Sequence, residues 1–366
     1  KTGAAFESGK TYLAGITTTG HTAAGIDSAI ATMITANTSA GSASAATTSK
    51  FTTSTDVLAG ASGNDSFNAV LQGKGGDGTT IAPGDSADGK DGNDTLTISV
   101  AGDIDNSGNG YTLSAVETTG IENILLSNFD TNNAELNTVA ADLMKGVTHV
   151  GMSASSATGD TSFTGLKNSV TGVMRNGSAD LTVGYVSGIL DGDADSQSLT
   201  VSALTAGTFT AEGAETLSIT SEISKSKLTD VSSTTLKTLN ISGDSNLTIT
   251  TAKATKTIDA SSFTGALDIG LATATDQTVT GGSGDDVINA FAVTGSDDTI
   301  SGGAGTDTLR IRATGTLDGK AKKLIELAPA CKLRSTSPAS QKPTTQTILA
   351  TELMWSTVLA QCFQTV

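Results

Sequence analysis

Aspartates recur at fixed short distances from glycines in this chain, and the spacing is that of a site for a hard cation. Gly281-Gly282-Ser283-Gly284-Asp285-Asp286-Val287-Ile288-Asn289 and Gly302-Gly303-Ala304-Gly305-Thr306-Asp307-Thr308-Leu309-Arg310 both read G-G-x-G-x-D-x-U-x, with U apolar. The glycines let the backbone turn through positive φ and aim carbonyls inward, while the Asp adds a carboxylate to the same pocket. The x-U-x triplet that follows is a short strand with one apolar residue directed into a core. One turn supplies only part of a site, and a stacked neighbour completes it. Calcium (Ca2+) fits best, because it takes about six to eight oxygen ligands in flexible geometry.

Asp298 stands twelve residues after Asp286 and nine before Asp307. A second block carries Gly60-Ala61-Ser62-Gly63-Asn64-Asp65-Ser66-Phe67-Asn68, with Ala in place of one glycine, and Gly89-Lys90-Asp91-Gly92-Asn93-Asp94-Thr95-Leu96-Thr97. Asp56 lies nine residues before Asp65 and Leu58 nine before Phe67, which predicts a preceding rung in register; Asp85 lies nine before Asp94. The expected ligands are Asp65, Asp94, Asp286, Asp298 and Asp307, with carbonyls around Gly60, Gly63, Gly281, Gly284, Gly302 and Gly305. Asp56 and Asp85 lack flanking glycines and rank second. The Gly- and Asp-rich stretch 72–88 reads as an excursion from the stack.

Two looser acidic runs are weaker candidates. Asp103-Ile104-Asp105-Asn106-Ser107-Gly108-Asn109-Gly110 has the first half of an EF-hand spacing, but its twelfth position is Ser114 rather than Glu. Asp191-Gly192-Asp193-Ala194-Asp195 alternates carboxylates without the glycine at the sixth position. A solvated turn explains either as well.

The elements that must position these residues are short strands. Thr95–Val100, 121–126, and then Leu199-Thr200-Val201, Leu217-Ser218-Ile219, Leu236–Ile241, Leu247-Thr248-Ile249, Ile258 and Leu267-Asp268-Ile269 alternate apolar and polar residues, with Gly, Ser, Asn or Asp between them. Their recurrence is that of a parallel β-solenoid, whose rungs cannot bury a face alone; a β-sandwich shows similar alternation. Helical spacing over 26–34 and over 134–148, the latter ended by Gly146, predicts two short helices. The expected fold is therefore all-β, an elongated parallel β-solenoid or β-helix with calcium-binding turns and few short helices.

Composition bounds the function. The 366 residues carry a formal charge of −16, with a pI near 4.4 and 4% aromatics. So acidic a chain lacks the basic patch that nucleic acid requires, and so few aromatics do not build a large globular core. Both cysteines, Cys331 and Cys362, lie near the C-terminus, which fits a secreted chain that does not rely on disulfides. No apolar run is long enough for a transmembrane helix. Lys1 reads as a processing site or as the edge of a larger chain, the latter favoured. His21 and His149 have no metal-ligand pattern beside them. No Gly-x-Ser-x-Gly elbow, His-Glu-x-x-His helix or P-loop is present, and Asp285/Asp286 and Asp297/Asp298, which could be offered as glycosidase pairs, are better explained as calcium motifs. The expectation is a non-enzyme.

Five segments follow: a Thr/Ala-rich stretch 1–50, a calcium block with strands 51–130, a Thr/Ser-rich β region 131–270, a second calcium block 271–319, and an atypical tail 320–366. The tail has no Gly and no Asp but holds Trp355 and both cysteines. An export segment and a shift of the reading frame both account for it.

The nonapeptides resemble those of the RTX (repeats-in-toxin) calcium-binding family. That resemblance implies export by a type I system and folding into β-rolls on meeting extracellular calcium. Over about 51–315, Leu236-Lys237-Thr238-Leu239-Asn240-Ile241-Ser242-Gly243 and Val116-Glu117-Thr118-Thr119-Gly120-Ile121-Glu122-Asn123-Ile124 are similar to RTX-secreted bacterial surface-layer (S-layer) proteins. It implies an extracellular, cell-surface structural protein that forms a two-dimensional lattice with itself, calcium bridging subunits, and outer-membrane polysaccharide as a further partner. A calcium-stiffened adhesin or fibre, or a fragment of an RTX hydrolase, remain alternatives.

Overall fold

Alternating Thr/Ser and Leu/Ile/Val residues form strands because one side of each is apolar and the other is wetted, and the strand Thr216–Ser221 follows that rule with Leu217 and Ile219 buried. Such a strand gains little alone, so it is stabilised by stacking on copies of itself. The computed structural model describes residues 46–72, 78–101, 112–113, 116–129, 137–252, 255–272, 276–292, 298–313, 331–336 and 357–363. Among them the chain is all-β, without a helix, and its parallel strands stack in chain order into a β-solenoid.

One twelve-stranded sheet runs from Thr48–Lys50 through Ser66–Gln72, Thr95–Ala101, Asn123–Phe129, His149–Ser155, Thr171–Arg175, Ser196–Ser202, Thr216–Ser221, Thr238–Gly243, Thr257–Phe263 and Thr278–Thr280 to Thr299–Ser301. The opposite sheet takes the intervening strands from Thr112–Leu113 to Thr306–Ala313, and two tail strands, Thr357–Phe363 and Cys331–Thr336, add antiparallel at its edge. A short four-stranded sheet, Val57–Ala59, Ser86–Asp88, Glu117–Thr119 and Met144–Lys145, covers the N-terminal part. Two in-register columns make the core: Leu217, Leu239, Ile258, Val279 and Ile300 on one sheet, and Leu228, Ile249, Ile269, Ile288 and Leu309 on the other. Each buried side chain of this kind stabilises by ~1.5–3 kcal/mol. Gly172 breaks one column because the Phe209 ring fills its place from the far sheet, 2.6 Å from where a Cβ would stand.

Two expectations need correction. The helix expected over 134–148 is instead the strand Asn137–Ala140, a turn and the strand Met144–Lys145, with Gly146 at φ 88°. Of the apolar stripe expected there, Val139 and Met144 are buried, entering the core around a corner of the rung, while Leu143 is exposed. Neighbouring strands Thr161–Leu166 and Glu117–Thr119 take their backbone hydrogen bonds, which decides for the extended form. The helix expected over 26–34 lies outside the described residues. Stretch 72–88 is also not wholly an excursion, since Ser86–Asp88 is a strand and Ile81 and Asp85 are buried.

Candidate metal centre

The Asp of each motif sits two residues before the inward apolar residue of the next strand, and so points inward at the corner. Asp65, Asp85, Asp94, Asp286, Asp298 and Asp307 are all buried. Desolvation raises the cost of the charge, and backbone N–H groups answer the carboxylates, those of Asp65, Asp85 and Asp286 from two rungs. Asp65 accepts from Ala61 N of its own turn at 2.6 Å and from Thr47 N of the neighbouring rung. Asp286 accepts from Gly282 N and Leu267 N, both at 2.8 Å, and Asp85 from Ala82 N at 2.7 Å and Asp56 N at 2.8 Å. Asp307 accepts from Asp286 N at 3.0 Å, Asp298 from Gln277 N at 2.9 Å, and Asp56 from Thr52 N at 2.6 Å.

The nine-residue spacing proves to be a step between sheets rather than a rung. Asp56 and Asp65 precede strands of different sheets, and the stacking partner of each lies 29 residues on: Asp56 with Asp85, and Asp65 with Asp94. In the C-terminal block the step along a column is 21 residues, Asp286 to Asp307 and Gln277 to Asp298. The preceding rung expected at Asp56 is thus the other side of the same turn of chain.

Asp94 departs from its neighbours. Its Oδ1 accepts Asp65 N at 2.6 Å, but its Oδ2 is buried with no hydrogen-bond partner. The N–H that should serve it, four residues back, belongs to Lys90, which stands where the full motif has glycine. Lys90 is held at φ 71°, and its N–H turns away to Asp88 Oδ1 at 3.1 Å. A positive φ costs a residue with a Cβ about 1–2 kcal/mol. A Cβ on Gly89 would collide with both Asp94 Oδ2 and the Gly120 carbonyl oxygen, so two oxygens converge on one small space. The same pairing recurs where Asp65 Oδ2 and the Gly89 carbonyl meet over Gly60, and where Asp286 Oδ2 and the Gly302 carbonyl meet over Gly281. Asp307 Oδ2 lies against Gly302 in the same way, while the Gly63 and Gly284 carbonyls face Gly92 and Gly305 of the next rung.

The donors are carboxylate and carbonyl oxygens throughout, a set that suits calcium rather than a softer metal. Among the described residues no three His, Cys, Asp or Glu side chains gather, so the backbone must supply most of any coordination. Electrostatics follow from burial. Desolvation pushes the Asp94, Asp286 and Asp307 carboxyls above the usual carboxylate value, whereas the Thr47 N–H holds Asp65 below it.

Sequence reasoning missed three members of the ladder. Glu122 accepts Asp94 N at 2.8 Å, Glu215 accepts Asp195 N at 2.9 Å, and Gln277 stands on Asp298. All share the signature acid-or-amide, x, apolar, as in Glu122-Asn123-Ile124, without the paired glycines. The exposed run Asp191–Asp195 is a turn: Asp191 accepts Gly188 N at 2.7 Å and Asp195 accepts Gly192 N at 2.6 Å. Residues 103–110, Asp297 and His21 lie outside the described residues. No protein-family model, no curated protein and no solved structure matches the chain.

Proposed function

We propose that this chain is a structural, extracellular protein that binds calcium at its glycine–aspartate corners and assembles with itself into a surface-layer lattice on the cell. One observation carries the calcium part: the buried, donorless Asp94 Oδ2 opposite the Gly120 carbonyl. Two inward-facing oxygens with no proton between them repel unless a cation joins them. Asp94, Gly89 and Gly120 would hold it there, with Asp65 and Gly60, Asp286 and Gly281, and Asp307 and Gly302 as parallel sites. Bound calcium would supply positive charge between rungs and lock their spacing. The lattice part is supported by the RTX-like nonapeptides and by a rigid repetitive body of −16 charge, which calcium would partly neutralise.

The test is light scattering with electron microscopy on the purified chain during a calcium titration, followed by chelator. Ordered sheets that form with calcium and dissolve with chelator are expected. A chain that binds calcium and stays single sinks the lattice and favours the stalk of an adhesin.

A further inference from the structure

The twelve-stranded sheet turns one face to the core and the other to solvent, and the solvent face differs from the rest of this acidic molecule. One register column crosses all twelve strands from Thr48 to Ser301 through paired residues. Its only formal charge is Asp259, whose carboxyl the Ser261 N–H keeps low and ionised; His149, the other titratable group, is pushed toward its neutral form by burial. Beside it, over the last six strands, runs Ser196, Thr216, Thr238, Thr257, Thr278 and Thr299, with no charge at all. Hydroxyls here bond along the stack, as Thr220 does to Ser242 at 3.2 Å and Ser127 to Ser153 at 2.9 Å.

We propose that this hydroxyl face is the surface by which one copy of the chain packs on another. The inference rests on the self-assembly reading and names the face that performs it. Two arguments select a second copy. Twelve strands about 4.8 Å apart, each roughly 15–20 Å long, make a face of about 800–1,000 Å²; two such faces reach the roughly 1,200–2,000 Å² that a stable interface buries. Two bodies of −16 charge meet with least repulsion where charge is sparse, and over its last six strands this face carries Asp259 alone, Lys50 and the Glu222-paired Arg175 lying toward its other end. In a two-fold pair a lone Asp259 faces its own copy only if it lies on the axis. The carboxylates Asp65, Asp94, Glu122 and Asp298 stand at one edge of the same sheet, so calcium held there would discharge the rim of the face.

The experiment uses the full chain in calcium, with sedimentation velocity to find the concentration at which association begins. Thr257→Arg/Thr278→Arg should keep its circular dichroism and its calcium binding, while raising the onset about tenfold or more, because unpaired charge would be buried in the contact. Thr250→Arg, an exposed site on the opposite sheet, should associate as the parent does, and Asp259→Asn should associate at lower concentration. A double variant that associates like the parent, a Thr250→Arg that fails equally, or an Asp259→Asn with an unchanged onset would each overturn the face while leaving the lattice reading in place. A parent chain that never associates in calcium would overturn both. Loss of retention on an insoluble neutral glucan by the double variant, with self-association intact, would overturn the pairing and assign the face to polysaccharide.

Discussion

At the residue scale, Asp94 and Lys90 form one unit. Lys90 occupies the second glycine position of its motif, and its side chain pairs with Asp88 at the surface. The same twist that places that pair removes the N–H from Asp94 Oδ2. Asp94→Asn supplies a donor toward the Gly120 carbonyl and removes the buried charge, so the calcium-free protein should gain about 1–3 kcal/mol. Its calcium-induced rise in Tm should shrink, read by calorimetry with and without chelator; a rise equal to the parent's would remove Asp94 from the site. Lys90→Gly should relieve the strain of about 1 kcal/mol, less what glycine gains in the unfolded chain, and return the N–H to Asp94 as Gly282 gives its own to Asp286. Gly172→Ala tests packing instead: the new methyl meets the Phe209 ring, and urea unfolding should show a loss of about 1–3 kcal/mol.

At the scale of the element, the corner is a column of carboxylates fastened to backbone N–H groups, and its stability depends on pH in a defined direction. Asp286 and Asp307 have folded pKa values raised above 3.8 by desolvation. Such a group favours the folded state fully below its unfolded pKa, and that contribution is lost as pH rises through the raised value. Asp65, lowered by the Thr47 N–H, works the other way and loses its contribution as pH falls below 3.8. In chelator, therefore, parent stability relative to Asp286→Asn should fall as pH rises from about 4 toward neutrality. Calcium binds the ionised form and should reverse that trend. Thermal unfolding of both proteins across this range, with and without calcium, decides it. A difference that stays flat with pH would mean that Asp286 is not penalised by its burial.

At the scale of the whole molecule, strands pair with the rungs next to them and few contacts, such as Arg175 to Glu222, reach further, so stability is close to a sum along the stack rather than a property of one core. The glycine-flanked carboxylate columns lie toward its two ends, through Asp94 on one side and from Asp286 to Asp307 on the other, while Asp160, Asp180 and Glu215 between them accept rung N–H groups without the full motif. Between them, strands such as Thr216–Ser221 and Thr238–Gly243 hold an unbroken aliphatic core. Chelation should accordingly release hydrogen-exchange protection in 56–97 and 281–310 first, with 196–252 keeping its protection. Uniform release along the chain would argue that calcium does not act at the corners.

The amino-acid order by itself determined the periodicity. Apolar residues in alternation, broken by Gly, Asn and Asp, read as short parallel strands because side-chain direction along a strand is local, and the strands at 199–201, 217–219 and 247–249 lie inside those observed. The buried acids were legible too, because the glycines beside them mark corners that only small residues can turn. Tertiary structure decided what stacks on what. The step along a column is 29 residues at Asp65 and 21 at Asp286, and no local signal sets it, since intervening turns vary in length while only the inter-rung hydrogen bonds fix register. It also decided strand over helix at 137–145, where the edges above and below outweighed a helical spacing. Glu122 joined the ladder because its longer side chain reaches the Asp94 N–H without the paired glycines, and Gln277 because its backbone N–H serves Asp298 while its side-chain amide donates to the Thr255 carbonyl of the rung before; it was the stack that brought those groups within reach.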